Sequence, residues 1–449
     1  MKIIIIGIGE IGYDLASILS EEHHDVTVLD QDRNVLKEAD ENLDVLTFEG
    51  NATSAQDLAE AGVEDADILI AATSIDEVNM IASMMSKRLG AETVIARIRS
   101  DEFSLPGSPL KAVDLGIDVL IHPERSAALE IVHLLKRASA TDLVQLADGR
   151  MQMIGVSVPE QSPLIGKTLN EYTDNLSDII FRVVAISRNT LTIIPSGSDR
   201  IQADDQLFVI AKSGDIPKVI ESIGKPEMQI KRVMIAGGSE IGAKVARMLS
   251  KEEKKWDIKL IEPDRDIAEE LAKELNEVMV LNGNPTDPDL LAPEGIADTD
   301  AFISVTNDEE SNIISCLMAK HLEVRKTLAL VSKPDYIPLS KTIGLDAAIN
   351  KKSAASNEIH RHVRSGRIIS VKALQGIDAE IIELQPSTES KAVKKAISEI
   401  DLPEGCVIGG ILSNGSIDIA TGQSHIKPND RVIIFCLPQA VDEVTSFFE

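Results

Sequence analysis

Gly7-Ile8-Gly9-Glu10-Ile11-Gly12 follows directly on Ile3 to Ile6. The chemistry this spacing serves is the holding of a phosphate. A first glycine makes a tight turn, a second lets backbone approach a pyrophosphate, and a third lets the next helix pack on the strand. The start of that helix adds unpaired N–H groups and a positive dipole end. Asp30 lies 23 residues after Gly7, at the end of Val26-Thr27-Val28-Leu29, where an acid would take ribose hydroxyls. Asn51, Thr73, Ser74 and Arg97 stand at or close to the ends of further apolar runs. A weaker copy, Gly237-Gly238-Ser239-Glu240-Ile241-Gly242, follows Arg232 to Ala236, with Glu262, Asn284 and Thr306 in the places of Asp30, Asn51 and Thr73. In the copy Ser239 replaces the middle glycine and Leu330 stands where Arg97 stood. A Cβ at Ser239 crowds the backbone that would meet a pyrophosphate.

The elements that must position these residues alternate. Ile3 to Ile6 reads as a strand buried on both faces, Ile11 to Leu19 as a helix, and Val26 to Leu29 as the next strand. Val45 to Phe48, Ile68 to Ala72, Val94 to Ile98 and Val119 to Ile121 continue the strands, with helical stretches such as Glu77 to Leu89 between them. This alternation predicts a doubly wound parallel sheet, whose ligands bind beyond the carboxyl ends of its strands. From about residue 150 the texture is mostly β, with strands at Met153 to Val158 and Leu207 to Ile210 and a short helix over Pro163 to Tyr172.

Gly224-Lys225-Pro226-Glu227 then breaks the chain and the whole arrangement returns. Thr73, Glu77 and Asn79 recur as Thr306, Glu310 and Asn312 at an offset of 233, and Gly116-Ile117-Asp118 recurs as Gly344-Leu345-Asp346. Asn79 and Asn312 recur at matching helix positions in both halves, either with a shared role or simply facing solvent. The fold class is therefore α/β: two Rossmann-like doubly wound parallel sheets, each followed by a small α+β C-terminal domain. The expected domains are residues 1–140, 141–224, 230–365 and 366–449.

Composition narrows the chemistry. Lys plus Arg number 45 against 73 Asp plus Glu, a net charge of −28 over 449 residues, which repels nucleic acid and anionic lipid. Aromatics are only 3%, too few for base-stacking modules. Cys316, Cys406 and Cys436 form no disulfide framework and fit a reducing compartment. No run reaches the roughly 18 apolar residues of a membrane helix, so the expectation is a cytoplasmic protein without direct membrane insertion. An acid at Asp30 disfavours a 2′-phosphate. A nicotinamide-dependent oxidoreductase is the rival reading. It needs a substrate domain with a placed acid or base, and the small segments show no His or Lys constellation. His23, His24 and His122 have no metal-ligand spacing.

The motifs GIGEIG, VLD, EGNATS, IAATSIDEVNMIAS and GIDVLIHPE in the first half, with NGNPTD and SVTNDEESNIIS in the second, resemble those of the TrkA family of potassium-uptake regulators. The likeness spans essentially the whole chain. It implies tandem RCK modules, no enzymatic activity, and a regulatory subunit docked peripherally on a Trk-type membrane potassium transporter. Gating would follow occupancy by NAD(H), ATP or ADP. By position the resemblance puts Gly7, Ile8, Gly9, Glu10 and Ile11 at the phosphates, Asp30 on the adenosine ribose, and Asn51, Thr73, Ser74 and Arg97 around it. Glu124, of Pro123-Glu124, is implied as a cation ligand, and Lys352 stands near its place in the second half. Homo-oligomers from dimer to tetramer are implied, since rings of RCK units would take two from each chain. The apolar face Ala127, Ala128, Ile131 and Leu135 is either a contact surface for such assembly or core packing.

Overall fold

A computed structural model describes residues 1–449 apart from 105–107, 148, 175, 177–178, 190, 226–227, 334–335, 353–354, 357–358, 360–367, 374–376, 394, 414 and 449. Pro226, Glu227 and the expected boundary at 365/366 thus lie outside the described residues.

Strands β1 (Lys2–Ile6), β2 (Asp25–Asp30), β3 (Leu46–Glu49), β4 (Ile68–Ala71), β5 (Thr93–Arg97) and β6 (Val119–Ile121) form a parallel sheet in the order β3-β2-β1-β4-β5-β6. Ile3 to Ile6 are fully buried because β1 lies mid-sheet with helices covering both faces. Ile3 and Ile5 pack with Leu15 and Leu19 of the helix Glu10–Glu21, while Ile4 and Ile6 pack with Leu58 and Ala82 on the opposite face. The order reverses between β1 and β4, so their carboxyl ends frame the crevice where such sheets take ligands.

Contacts divide the chain into two compact units, residues 1–126 with 351–363, and residues 127–350 with 364–449. The first unit therefore contains the first parallel sheet and a segment that arrives from after the second one. Ala355 and Ile359 of that segment are fully buried in the core of Ile3, Ile5 and Leu15. Ser356 donates to Asp14, 342 residues away in sequence, at 2.9 Å.

The second unit holds a five-stranded sheet of β7 (Asp142–Leu146), β8 (Met151–Ser157), β9 (Phe181–Arg188), β10 (Leu191–Ile193) and β11 (Gln206–Lys212), in the order β10-β9-β11-β8-β7. It continues with a second parallel sheet of β12 (Arg232–Ala236), β13 (Asp257–Glu262), β14 (Met279–Asn282), β15 (Ala301–Ser304), β16 (Lys326–Leu330) and β17 (Ala347–Ile349), ordered β14-β13-β12-β15-β16-β17. A last sheet of β18 (Ile368–Ala373), β19 (Glu380–Leu384), β20 (Cys406–Ser413), β21 (Ser416–Ile419) and β22 (Arg431–Cys436) runs β18-β19-β22-β20-β21. Read from its other edge, this is the topology of the first small sheet. Met153, Phe208, Ile381 and Phe435 share one core, so the two small sheets bury apolar faces against each other.

The helix expected over Pro163 to Tyr172 forms only at Leu169–Asp174, because Gly166 takes a left-handed φ of +80° that ends the turn over residues 163–166 before a helix can propagate. The face of Ala127, Ala128, Ile131 and Leu135 is core: it lies at 0–1% exposure among Val233, Ile235, Val245 and Leu328. The helix Pro123–Lys136 thus covers the second parallel sheet of its own chain with these residues.

Candidate nucleotide-binding site

The chain leaves β1 through Gly7, whose φ of +88° admits few side chains. A Cβ there would meet Thr73 Cγ2 at 2.7 Å, and one on Gly12 would sit 1.8 Å from the Gly7 carbonyl oxygen. These two glycines serve the backbone crossing itself. Gly9 differs. Its backbone is ordinary, and nothing lies within 4 Å of the place its Cβ would take. Gly9 is also the N-cap of the helix Glu10–Glu21 and offers no side-chain cap. The helix start therefore presents N–H groups toward open space, the arrangement that accepts an anion.

Asp30 closes the other side. Its Oδ2 accepts from the Ile8 N–H at 2.8 Å and its Oδ1 from the Asp32 N–H at 3.0 Å. Two backbone donors hold the carboxylate, whose remaining lone pairs can take hydroxyls. Between lies a cleft of about 520 Å³, lined by Gly7, Gly9, Glu10, Ile11, Asp30, Thr73, Ser74 and Arg97 among the expected residues. Ile8 turns its side chain into the core, and Gly12 packs beneath the turn. Asn51 is not a lining residue. Its Oδ1 accepts from the Thr53 N–H and hydroxyl at 2.9 and 2.8 Å, shaping the turn that brings Gly50 and Ala52 to the cleft. Gln31, Ile75, Val78 and Lys351 also line it and were not picked out by sequence spacing. The first three follow directly from elements that were recognised; Lys351 comes from the far end of the second half.

Asn79 holds the floor. It is fully buried, which decides against the solvent-facing alternative. Its Oδ1 accepts from the Thr73 N–H at 3.0 Å and hydroxyl at 2.7 Å, and its Nδ2 donates to the carbonyls of Thr73 and Arg97 at 3.0 and 2.9 Å. The ends of β4 and β5 are thereby tied together beneath the ligand edge. Arg97 donates through Nη2 to Glu124 Oε1 at 2.6 Å, and both side chains are nearly buried. Arg97 Nε and Glu124 Oε2 have no hydrogen-bond partner among the described residues.

The second sheet repeats the scaffold with a side-chain cap at its helix start. Gly237 has a φ of +106°, and a Cβ on Gly242 would lie 2.1 Å from its carbonyl oxygen. Glu262, one methylene longer than Asp30, accepts from the Gly238 N–H at 2.6 Å and the Asp264 N–H at 2.9 Å. Ser239 caps the helix Glu240–Ser250: its Oγ accepts from Gly242 at 3.4 Å and donates to the Val305 carbonyl at 2.5 Å. Glu240 pairs with Lys244 at 3.6 Å, and Ile241 is buried. Asn312, fully buried, clamps Thr306 and the Leu330 carbonyl as Asn79 clamps Thr73 and Arg97. Asn284 makes the turn of Asn51 again, with Thr286.

Two parallel sheets of this order, each with a glycine crossing at its switch point and an acid at the end of the next strand, define a tandem protein of the Rossmann type. A TrkA-N domain family model matches residues 3–123 and 233–351, and a TrkA-C domain model matches residues 153–224 and 381–449. The Trk system potassium uptake protein TrkA of Azorhizobium caulinodans is 34% identical over 100% of this chain and 98% of its own. That of Halomonas elongata is 35% identical over 97% and 96%. The chain belongs to the TrkA family. Among solved structures, the GsuK channel bound to NAD superposes with a TM-score of 0.63 over 100% of this chain and 78% of the channel, at 18% identity. At that identity the likeness concerns the fold.

Proposed function

We propose that this chain is the nucleotide-sensing regulatory subunit of a potassium uptake system. It would work in the cytoplasm, bound to a Trk-type membrane partner, and gate that partner by exchange of NAD(H), ATP or ADP rather than by catalysis. The observation that carries this reading is the first cleft. An uncapped helix start and a backbone-held carboxylate face each other across about 520 Å³, enough for a nucleotide. Full-length similarity to TrkA proteins supports the partner. Among the described residues no helix is long and apolar enough to cross a membrane, which fits attachment through that partner.

In this reading the pyrophosphate meets the N–H groups at the uncapped start of the helix Glu10–Glu21, and Asp30, held by the Ile8 N–H, receives the adenosine ribose. Arg97, held by Glu124, stands at the same edge of the cleft. A ligand shifts a two-state equilibrium only by its differential affinity for the states. Asp30 would bind every adenine nucleotide alike, so the phosphate end carries the signal. The second site, whose helix start Ser239 caps, binds more weakly.

Calorimetric titration tests the reading. The expected result is one tight site per chain for NAD or ATP, with no turnover of either. Asp30→Ala should weaken both by about 1.5–3 kcal/mol, the cost of hydrogen bonds to a charged group. Unchanged affinity for both would remove Asp30 from the site, and two indistinguishable sites would contradict the asymmetry. The proposed assembly, a homo-oligomer up to a tetramer, is checked by light scattering. Closed symmetric assemblies reuse one patch, so a strict monomer with and without nucleotide would exclude gating through shared interfaces.

A further inference from the structure

Lys351 lines the first cleft although it follows β17 of the second half. Its Nζ lies 3.4 Å from Glu10 Oε2, on the first residue of the helix whose start faces the cleft. The lysine is held there by its own segment. Ala355 and Ile359 are buried in the core of the first unit, and Ser356 donates to Asp14 on that same helix.

The cations among the described lining residues are Arg97 and Lys351. Arg97 is bound to Glu124 at 2.6 Å in a nearly buried pair. The Lys351–Glu10 pair is longer, with side-chain exposures of 26% and 57%, so water screens it and little is lost when it opens. An ammonium on a four-carbon stem can then turn to an incoming anion.

We infer that Lys351 reads the distal phosphate charge of the ligand: it pairs with Glu10 in this structure and with the terminal phosphate of a nucleoside di- or triphosphate when one is bound. A dinucleotide carries no terminal phosphate, because its second phosphate is esterified. Lys351 thus makes the cleft distinguish phosphate-terminated nucleotides from dinucleotides, while Asp30 does not. This rests on reading the first cleft as a nucleotide site.

The test is a set of calorimetric titrations with ATP, ADP, NAD and adenosine on the full-length protein and on Lys351→Gln, Lys351→Arg and Glu10→Gln. Lys351→Gln should weaken ATP and ADP by roughly tenfold or more, the scale of one charge-assisted hydrogen bond, and leave NAD within about twofold. Retained NAD binding also shows that the variant is folded. Lys351→Arg should keep the preference. Glu10→Gln, which frees the lysine, should tighten ATP and not adenosine. Salt should erode the ATP-to-NAD affinity ratio in the parent protein and not in Lys351→Gln. An unchanged ratio in Lys351→Gln, or equal loss of both ligands, overturns the inference while leaving the cleft a nucleotide site. Failure of the parent protein to bind any of the four overturns both.

Discussion

Gly9→Ser is expected to cost the first cleft most of its nucleotide affinity while leaving the fold intact. The backbone at Gly9, φ −69° and ψ −167°, suits any residue, and no atom lies within 4 Å of the new Cβ. A serine there occupies the N-cap, as Ser239 does in the second half. Its side chain stands where phosphate must approach and competes for the N–H groups of the first turn. Losing two such contacts to a charged ligand corresponds to about 3–6 kcal/mol, or roughly 100- to 10,000-fold in dissociation constant. Serine for glycine at an N-cap changes stability by only a few tenths of a kcal/mol, so thermal melts should barely move. Calorimetry and melting curves on one preparation decide the matter. Full affinity in the variant would place the phosphates elsewhere. Gly7→Val is a poorer probe, because its φ and the nearby Thr73 would perturb the fold as well as the site.

Asn79→Ala should destabilise the first unit by about 3–5 kcal/mol. The side chain makes four hydrogen bonds from a fully buried position. Its removal strands the Thr73 N–H and two carbonyls in the interior, each a penalty of about 1–3 kcal/mol before relaxation. Losses of this size come from broken buried networks and not from surface changes. Asn79→Asp is expected to be nearly as harmful, since an acceptor would face the carbonyls of Thr73 and Arg97. Asn312→Ala should act likewise in the second unit, where Ser304 also donates to Asn312. Urea denaturation followed by circular dichroism reads the first variant. The single tryptophan, Trp256, lies in the second unit and reads the other by fluorescence. A midpoint shift equivalent to less than about 1 kcal/mol would reduce the clamp to an ordinary pair of exposed hydrogen bonds.

Much of the scaffold was legible because it is written locally. The uninterrupted isoleucines of β1 demand burial on both faces, and glycines at the first and third motif positions answer steric demands of one crossing. Offsets shared between the halves follow from repetition of one unit. Asp30 was found by spacing, since strand, turn and helix lengths in such a unit vary little. The difference between the halves was also visible at Ser239, although not the cap its hydroxyl makes at the helix start.

Other features depended on distance along the chain. Asn79 has the polarity of a solvent-facing residue, and only the meeting of the β4 and β5 ends supplies the partners that make its burial favourable. The face of Ala127, Ala128, Ile131 and Leu135 was evidently apolar, but periodicity states that a face must be covered, not by what. It is covered by the second sheet of the same chain. Lys351 was invisible as a site residue because its cleft is built more than 250 residues earlier in the chain. The two Rossmann-type units, their strand-end acids and the inequality of their glycine motifs are readable along the chain, since each is a property of neighbouring residues. Tertiary structure decided which segment completes the first unit and which cation reaches its cleft, because burial of Ala355 and Ile359 against β1 is a free-energy gain that only a long-range contact can realise.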